Sequence, residues 1–300
     1  MMIDLSKINT EQNNPKTTDF SSMSVRQAIE IMNAEDYNAV KCIESQYDVI
    51  EALIYKTGMA LVEGGRIIYM GAGTSGRLGV LDAVECPPTF GVDSNTVVGL
   101  IAGGEKAFVK AVEGSEDSKE AAIQDLKNIG FSSKDVLVGI AASGRTPYVI
   151  SGLEYASEIG AQCGAVVCTK DSEISKVCDL TIEAVPGPEV LTGSTRLKAG
   201  TTTKMILNMI STISMKFVGK IYKNYMVDLK LNNQKLVARA INIIMAVTDC
   251  EKEVAIDKLN ESGDNVKLAI VMILLDCDKS QAAKRLDEVK GHIGKLEEEV

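Results

Sequence analysis

Three segments of this chain join glycine to hydroxyl-bearing residues at points where a helix should begin: Gly71-Ala72-Gly73-Thr74-Ser75-Gly76-Arg77, Ala142-Ser143-Gly144-Arg145-Thr146-Pro147, and Gly193-Ser194-Thr195-Arg196-Leu197-Lys198 running on to Lys204. Backbone N–H groups and hydroxyls at a helix start form a cradle for an anion, most often a phosphate. Two of the three follow apolar, strand-like runs. Together they point to a phosphorylated small molecule held at Thr74, Ser75, Gly76, Arg77, Ser143, Gly144, Arg145, Thr146, Ser194, Thr195 and Lys198. Lys198 and Lys204 are six residues apart on a helix, so they face different ways, one towards an anion and the other towards solvent.

Two carboxylates add acid–base chemistry. Glu85 precedes Cys86-Pro87-Pro88, and prolines are expected to end the helix there. A helix C-terminus disfavours negative charge, which suits a general acid. Glu116 lies in Glu113-Gly114-Ser115-Glu116-Asp117, shortly after a strand and so at the edge where ligands bind. Read alone, an acid in such a loop cluster is more often a solvated surface group than a catalytic one. The chain has one histidine, His292, expected at the surface. That excludes a Ser-His-Asp triad and leaves Glu, Asp, Lys, Tyr or Cys for proton transfer.

Gly71-x-Gly73-x-x-Gly76 also matches a dinucleotide fingerprint, but that pattern needs an acid at the end of the second strand. Asp93 comes before that strand and Glu105 too far beyond it, so a nicotinamide enzyme is disfavoured. No metal site and no cofactor are expected.

The elements that must carry these groups follow from hydropathy patterning. Residues 1 to about 22 read as a polar arm, poorly ordered or tied down by a neighbour. Helical periodicity starts at Ser24, and a long helix is expected over about 36–63, ended by Gly64-Gly65. Strand-like runs near 66–70, 96–102, 135–141, 165–169 and 180–185 alternate with helices near 74–84, 118–128 and 146–159. Continuous apolar strands separated by helices predict a mainly parallel five-stranded sheet covered on both faces, a three-layer α/β sandwich. Helices are then expected at about 197–219 and 231–247. Three short ones follow from Cys250, with Asp278 capping the last; Leu268–Leu275 is a buried face and Lys295–Val300 a frayed tail. The domains are therefore expected at 1–248, carrying the site, and 249–300, a small helical (UBA-like) packing module.

The net charge of −9 disfavours nucleic acid. No apolar run reaches the roughly 18 residues of a membrane span, and no export signal is apparent at the start. Seven scattered cysteines without a C-x-x-C pair suit reduced thiols, hence a cytoplasmic protein. Apolar surface on the 36–63 and 197–219 helices suggests a homodimer with its sites near the interface.

Taken together, residues 71–83, Glu85-Cys86-Pro87-Pro88-Thr89-Phe90-Gly91, Ala111 to Asp117 and Leu191 to Thr201 resemble the N-acetylmuramic acid 6-phosphate etherases, bacterial enzymes of the sugar-isomerase (SIS) fold. The resemblance runs from about residue 4 to 291. It implies cleavage of the D-lactyl ether at C3 of N-acetylmuramic acid 6-phosphate, giving N-acetylglucosamine 6-phosphate and D-lactate. It places the family's proton donor on Glu85, its second acid/base on Glu116, and phosphate contacts on Ser75, Ser143 and Thr146. Related domains often carry Ser-x-Ser in the second loop, where this chain has Ala141. A phosphosugar isomerase on the same fold and a sugar-phosphate-sensing regulator are the competing readings. The regulator that shares this fold carries it twice in a longer chain, and both acids here favour catalysis.

Overall fold

In the computed structural model, which describes residues 9–110, 112–231 and 233–297, the apolar runs form β1 (Ile67–Gly71), β2 (Val97–Ile101), β3 (Val136–Ile140), β4 (Gln162–Val167) and β5 (Thr181–Glu183). They make one sheet in the order β2-β1-β3-β4-β5, with every neighbouring pair parallel. Every residue of β1 and β3 is buried, which explains why these strands read as unbroken apolar runs rather than alternating ones.

The chain divides into two compact units. The first comprises residues 1–84 and 95–212. Its helices are α1 (Val25–Lys41), α2 (Tyr47–Val62), α3 (Gly73–Phe90), α4 (Glu105–Val109), α5 (Lys119–Asn128), α6 (Pro147–Glu158) and α7 (Lys198–Ser214), of which α3 and α7 end within the second unit. On one face of the sheet Ile68, Met70, Leu137, Ala165 and Val167 share an apolar cluster with Leu126 of α5 and with Tyr148, Val149 and Leu153 of α6. On the other face α2 comes so close that a Cβ on Gly164 would stand 2.4 Å from Leu53. Helices therefore cover both faces, giving the expected three layers.

The continuous helix expected over 36–63 is broken. α1 stops at Lys41, a 3-10 turn occupies Glu44–Gln46, and α2 begins at Tyr47. The break buries Ile43 and lets the Gln46 side chain accept the backbone N–H of Glu183 at 2.9 Å. Tertiary satisfaction of an edge strand here outweighs helical periodicity. The prolines likewise do not end α3, which passes through Pro87 and Pro88 to Phe90. Two intrahelical donors are lost at the carbonyls of Ala83 and Val84, but the helix persists.

The second unit groups residues 85–94 with 213–300. It contains a hairpin, β6 (Ile221–Tyr222) and β7 (Tyr225–Met226), then α8 (Gln234–Thr248), α9 (Lys252–Ser262), α10 (Val266–Leu274), α11 (Lys279–Glu288) and α12 (Ile293–Glu297). The expected boundary at 248/249 falls inside this unit. Ala240, Ile243, Ile244 and Val247 of α8 lie in one apolar cluster with Leu259 of α9, Ile270 of α10 and Leu286 of α11, so α8 needs the helices after it to bury its apolar face. Residues 266–272 are all buried, and Asp278 caps α11, accepting the Gln281 N–H at 2.9 Å. Lys295 and Leu296 belong to α12, with Leu296 buried; of the expected frayed tail, residues 298–300 lie outside the described residues. His292 is half-buried, its Nε2 3.1 Å from the Phe217 carbonyl.

Residues 9–22 of the arm are tied down, while residues 1–8 lie outside the described residues. Asn14 donates to Glu35 Oε2 at 2.9 Å and to the Pro188 carbonyl at 3.1 Å, and Thr169 donates to Asn9 Oδ1 at 2.9 Å. Glu35 is the knot. It pairs with Lys198 at 2.6 Å and Lys16 at 2.8 Å. Burial alone would raise its carboxyl, but the bonds from Lys16, Lys198 and Asn14 outweigh that and bring it from 4.5 to about 2. A depressed carboxylate stabilises the fold above its unfolded value and loses that contribution as pH falls through the folded one. Glu35→Gln is thus expected to cost on the order of 3 kcal/mol at pH 7, since it strands the buried Lys198 charge. In chemical denaturation the difference from the parent protein should shrink between about pH 4.5 and 2.

Candidate active site

β1 passes into α3 through a crowded turn. A Cβ on Gly76 would stand 2.6 Å from the Gly71 carbonyl and 2.7 Å from Ile101, so only glycine allows the helix to start this close to the strand. Thr74 and Ser75 are half-buried, and their hydroxyls make no hydrogen bond among the described residues. β3 leads into the second segment. There Thr146 occupies the N-cap position of α6 without a capping bond, and Pro147 begins the helix. Ser143 is half-buried and its hydroxyl is also uncommitted among the described residues. Ala141 points into the apolar cluster under the sheet, so no hydroxyl is offered at that position.

β1 and β3 are neighbours, with Gly71 opposite Ile140. The chain leaves β1 towards β2 on one side and β3 towards β4 on the other, which makes this pair the topological switch point where open α/β sheets bind ligands. The third segment also reaches this rim within the same chain: a Cβ on Gly200, in the first turn of α7, would lie 3.7 Å from Thr74 Cγ2.

The three helix starts are not equivalent. Glu189 fills that of α7, its two carboxylate oxygens accepting the N–H groups of Lys198 at 3.0 Å and Ala199 at 2.9 Å. Burial pushes this carboxyl up, against the pull of those N–H groups and Lys198. Lys198 is itself buried, with its ammonium on Glu35, while Lys204 is exposed. Of the remaining sequence candidates, Gly144 is buried with φ +64°, and Arg145, Ser194 and Thr195 are half-buried near their helix starts. The Lys198–Glu35 pair also borders a separate cavity of about 430 Å³ that includes Asn14, Lys16, Lys41 and Cys42.

Glu116 is exposed on the turn after α4. It lines a cleft of about 270 Å³ together with Gly73 and Arg77 at the start of α3, Ala102 beyond β2, and Glu113, Gly114 and Ser115. The first Gly-rich loop and Glu116 therefore share one cleft. Arg77 does not point its guanidinium freely into it, because Nε and Nη2 donate to the carbonyls of Phe108 and Ala107, each at 2.9 Å. Glu85 is exposed on α3, five residues before its end. The helix-terminus argument for its charge therefore does not apply. It belongs to the second compact unit, and Glu116 to the first. Among the described residues no group of three or more His, Cys, Asp or Glu could hold a metal ion.

Three acids with structural consequences gave no sequence signal. Glu35 and Glu189 are spaced from their partners as any surface acid would be. Asp82 lies on α3, one turn before Glu85, and accepts from Ser211 at 3.1 Å. Burial pushes its carboxyl from 3.8 up to about 6, although hydrogen bonds from Tyr69 and Ser211 and the nearby Lys204 pull the other way.

Comparison with known proteins fixes the family. The chain matches the glucokinase regulatory protein N-terminal SIS domain over residues 49–157, the SIS domain over 119–219, and the C-terminal lid domain of glucokinase regulatory protein over 223–266. A relative from Francisella tularensis subsp. holarctica (strain LVS), named N-acetylmuramic acid 6-phosphate etherase, is 56% identical over 266 residues, covering 89% of this chain and 90% of the relative. One of the same name from Bacillus cereus (strain AH187) is 51% identical over 291 residues, 97% of this chain and 99% of the relative. The chain belongs to the N-acetylmuramic acid 6-phosphate etherase family. Among solved structures, a candidate phosphosugar isomerase involved in capsule formation from Bacteroides fragilis NCTC 9343 superposes with TM-score 0.50 at 16% identity, over 64% of this chain and 91% of that one. At that distance the likeness speaks for the SIS fold alone. In this member of the family, the raised Asp82 carboxyl disfavours the folded state once it ionises. Asp82→Asn is therefore expected to stabilise the protein by on the order of 2 kcal/mol above about pH 6. Denaturation curves should show that gain fading towards pH 4, where Asp82 is protonated in both states.

Proposed function

We propose that this protein cleaves the D-lactyl ether of N-acetylmuramic acid 6-phosphate, releasing D-lactate and N-acetylglucosamine 6-phosphate. The observation that carries this reading is identity of 51–56% to relatives of that name across 89–97% of the chain. The geometry is compatible with it. The uncommitted hydroxyls of Ser75, Ser143 and Thr146 at the β1/β3 rim suit a 6-phosphate, aided by N–H groups at the starts of α3 and α6. Thr74, Gly76, Gly144, Arg145, Ser194 and Thr195 border the same loops, and Lys198 supports them through its ion pair.

The chemistry needs two carboxylates in opposite protonation states. With the sugar ring open, the C2 proton is acidified by the C1 aldehyde, and Glu116 removes it. The electron pair left at C2 forms a C2–C3 double bond as the C3–O bond breaks, and Glu85 gives a proton to the departing lactyl oxygen. Water then adds across the double bond, its oxygen to C3 and a proton to C2, which restores a hydroxyl at C3. No oxidant or reductant enters the balance. An isomerase would move a proton between C1 and C2 and leave the C3 ether intact, so D-lactate release from N-acetylmuramic acid 6-phosphate separates the two readings. The seven cysteines are free, which supports a reducing, cytoplasmic setting. Among the described residues no helix is long and apolar enough to cross a membrane.

We also propose that the active form is a homodimer. Val25, Ile29, Tyr37 and Val40 on α1 and Tyr47, Tyr55, Met59 and Val62 on α2 are exposed apolar residues at helical spacing, a larger apolar display than isolated surface residues give. α7 from the expected 197–219 helix is mostly buried against this chain's own core and adds only Ile213 to the exposed apolar residues.

Incubation with N-acetylmuramic acid 6-phosphate should release stoichiometric D-lactate, and absence of release would remove the assignment. Glu85→Gln should lower lactate release at least 100-fold while leaving phosphosugar binding intact, and Glu116→Gln should lower exchange of the C2 proton with solvent by a similar factor. Sedimentation of a Tyr55→Glu, Met59→Glu double variant should report a monomer where the parent protein reports a dimer.

A further inference from the structure

Arg77 stands among residues that a sequence reading assigns to substrate, yet its side chain is engaged elsewhere. It makes two hydrogen bonds of 2.9 Å, both to carbonyls of α4. α4 has five residues, and the last four carbonyls of any α-helix lack an intrahelical partner. The Lys110 N–H closes back on the Lys106 carbonyl. The next two carbonyls, Ala107 and Phe108, are the ones Arg77 takes. A planar guanidinium can span two adjacent acceptors in this way, whereas an ammonium is a point donor.

The turn that carries Glu116 follows α4 in sequence. Ser115 fastens the far side of that turn, its Oγ lying 2.7 Å from the Val112 carbonyl and 3.3 Å from that of Ala102 at the end of β2. α4 and the turn meet over Gly103, where a Cβ would lie 3.1–3.3 Å from the Cβ atoms of Val112, Ala107 and Ser115. Glu116 itself is exposed and makes no hydrogen bond among the described residues. Its place in the cleft is therefore set by the backbone of its turn. Arg77 lies in the first turns of α3 with Thr74 and Ser75, so its guanidinium ties that helix start to the Glu116 segment.

We infer that Arg77 is a positioning residue: it braces α4 and the turn of residues 112–117 against the start of α3 and so sets where Glu116 stands over the ligand, without gripping the phosphate. This rests on the assignment of Glu116 as the base. Misplacing a reacting group by about 1 Å can cost on the order of 100-fold in rate. Arg77→Ala should accordingly lower kcat for lactate release by about 10- to 100-fold. KM and the inhibition constant for inorganic phosphate should stay within about threefold of the parent values. Amide hydrogen exchange should quicken in residues 105–117 and stay unchanged in the loops at 71–76 and 141–147. Arg77→Lys, which keeps the charge but not the fork, should fall between the two proteins and serves where the alanine variant does not fold. A tenfold rise in KM and in the phosphate inhibition constant with kcat retained would make Arg77 a phosphate ligand and overturn the inference. So would unchanged exchange in residues 105–117. The exchange measurement does not depend on turnover. A parent protein that releases no lactate would therefore refute the assigned reaction while leaving the brace to be judged by itself.

Discussion

Backbone N–H groups at the first turn of a helix need partners, and in this fold three glycine-rich helix starts meet that need differently. Three helices, α3, α6 and α7, start among glycine and hydroxyl residues. Only α7 has its need met by a side chain carboxylate, through the two bonds from Glu189. At α6 the N-cap threonine makes no capping bond, and near the start of α3 the hydroxyls of Thr74 and Ser75 are uncommitted among the described residues. An external anion can complete what the protein leaves open at those two starts, and the parallel order β2-β1-β3 sets them side by side.

The filled start of α7 serves another purpose. Glu189 holds the helix end, and Lys198 sends its ammonium into the Glu35 pair at 2.6 Å, so α7 is anchored to α1 and to the arm through buried charge. Burying these ions is costly unless they satisfy one another. The result is that the first turn of α7, with Gly200 against Thr74, is held beside the start of α3 by an ion pair and hydrogen bonds within this chain. Arg77 and Ser115 do the corresponding work for the turn of Glu116.

Much of the fold was legible in the sequence because the relevant signals are local. Buried parallel strands must be apolar at successive positions, so all five strands could be placed to within a few residues. The glycines at 71 and 76 are fixed by backbone crowding that no side chain could tolerate. Where the reading departed from the structure, a distant partner had intervened. The Gln46 bond to Glu183 goes with the break between α1 and α2. The apolar face of α8 shares one core with the helices after it. Pro87 and Pro88 were expected to stop α3, yet the helix continues to Phe90. Only the loss of two N–H donors is local there, and packing around the helix is not written in the dipeptide.

For the candidate site the division is similar. Residue types and short-range spacing offered Ser75, Ser143, Thr146, Glu85 and Glu116 as candidates, since hydroxyls after strands and acids near loops or helix ends are patterns along the chain, while the roles proposed for them come from the family resemblance. Whether a given side chain is free or committed is not such a pattern. Lys198 and Arg77 look in sequence like cations awaiting an anion; the fold gives the first to Glu35 and the second to two carbonyls of α4. The sequence alone determined which groups could do chemistry and which strands would carry them, because periodicity and turn composition act over a few residues. Only the tertiary structure decided which of those groups remain available, because a hydrogen bond or ion pair is made with whatever the fold brings within about 3 Å, and that depends on contacts spread across the whole chain.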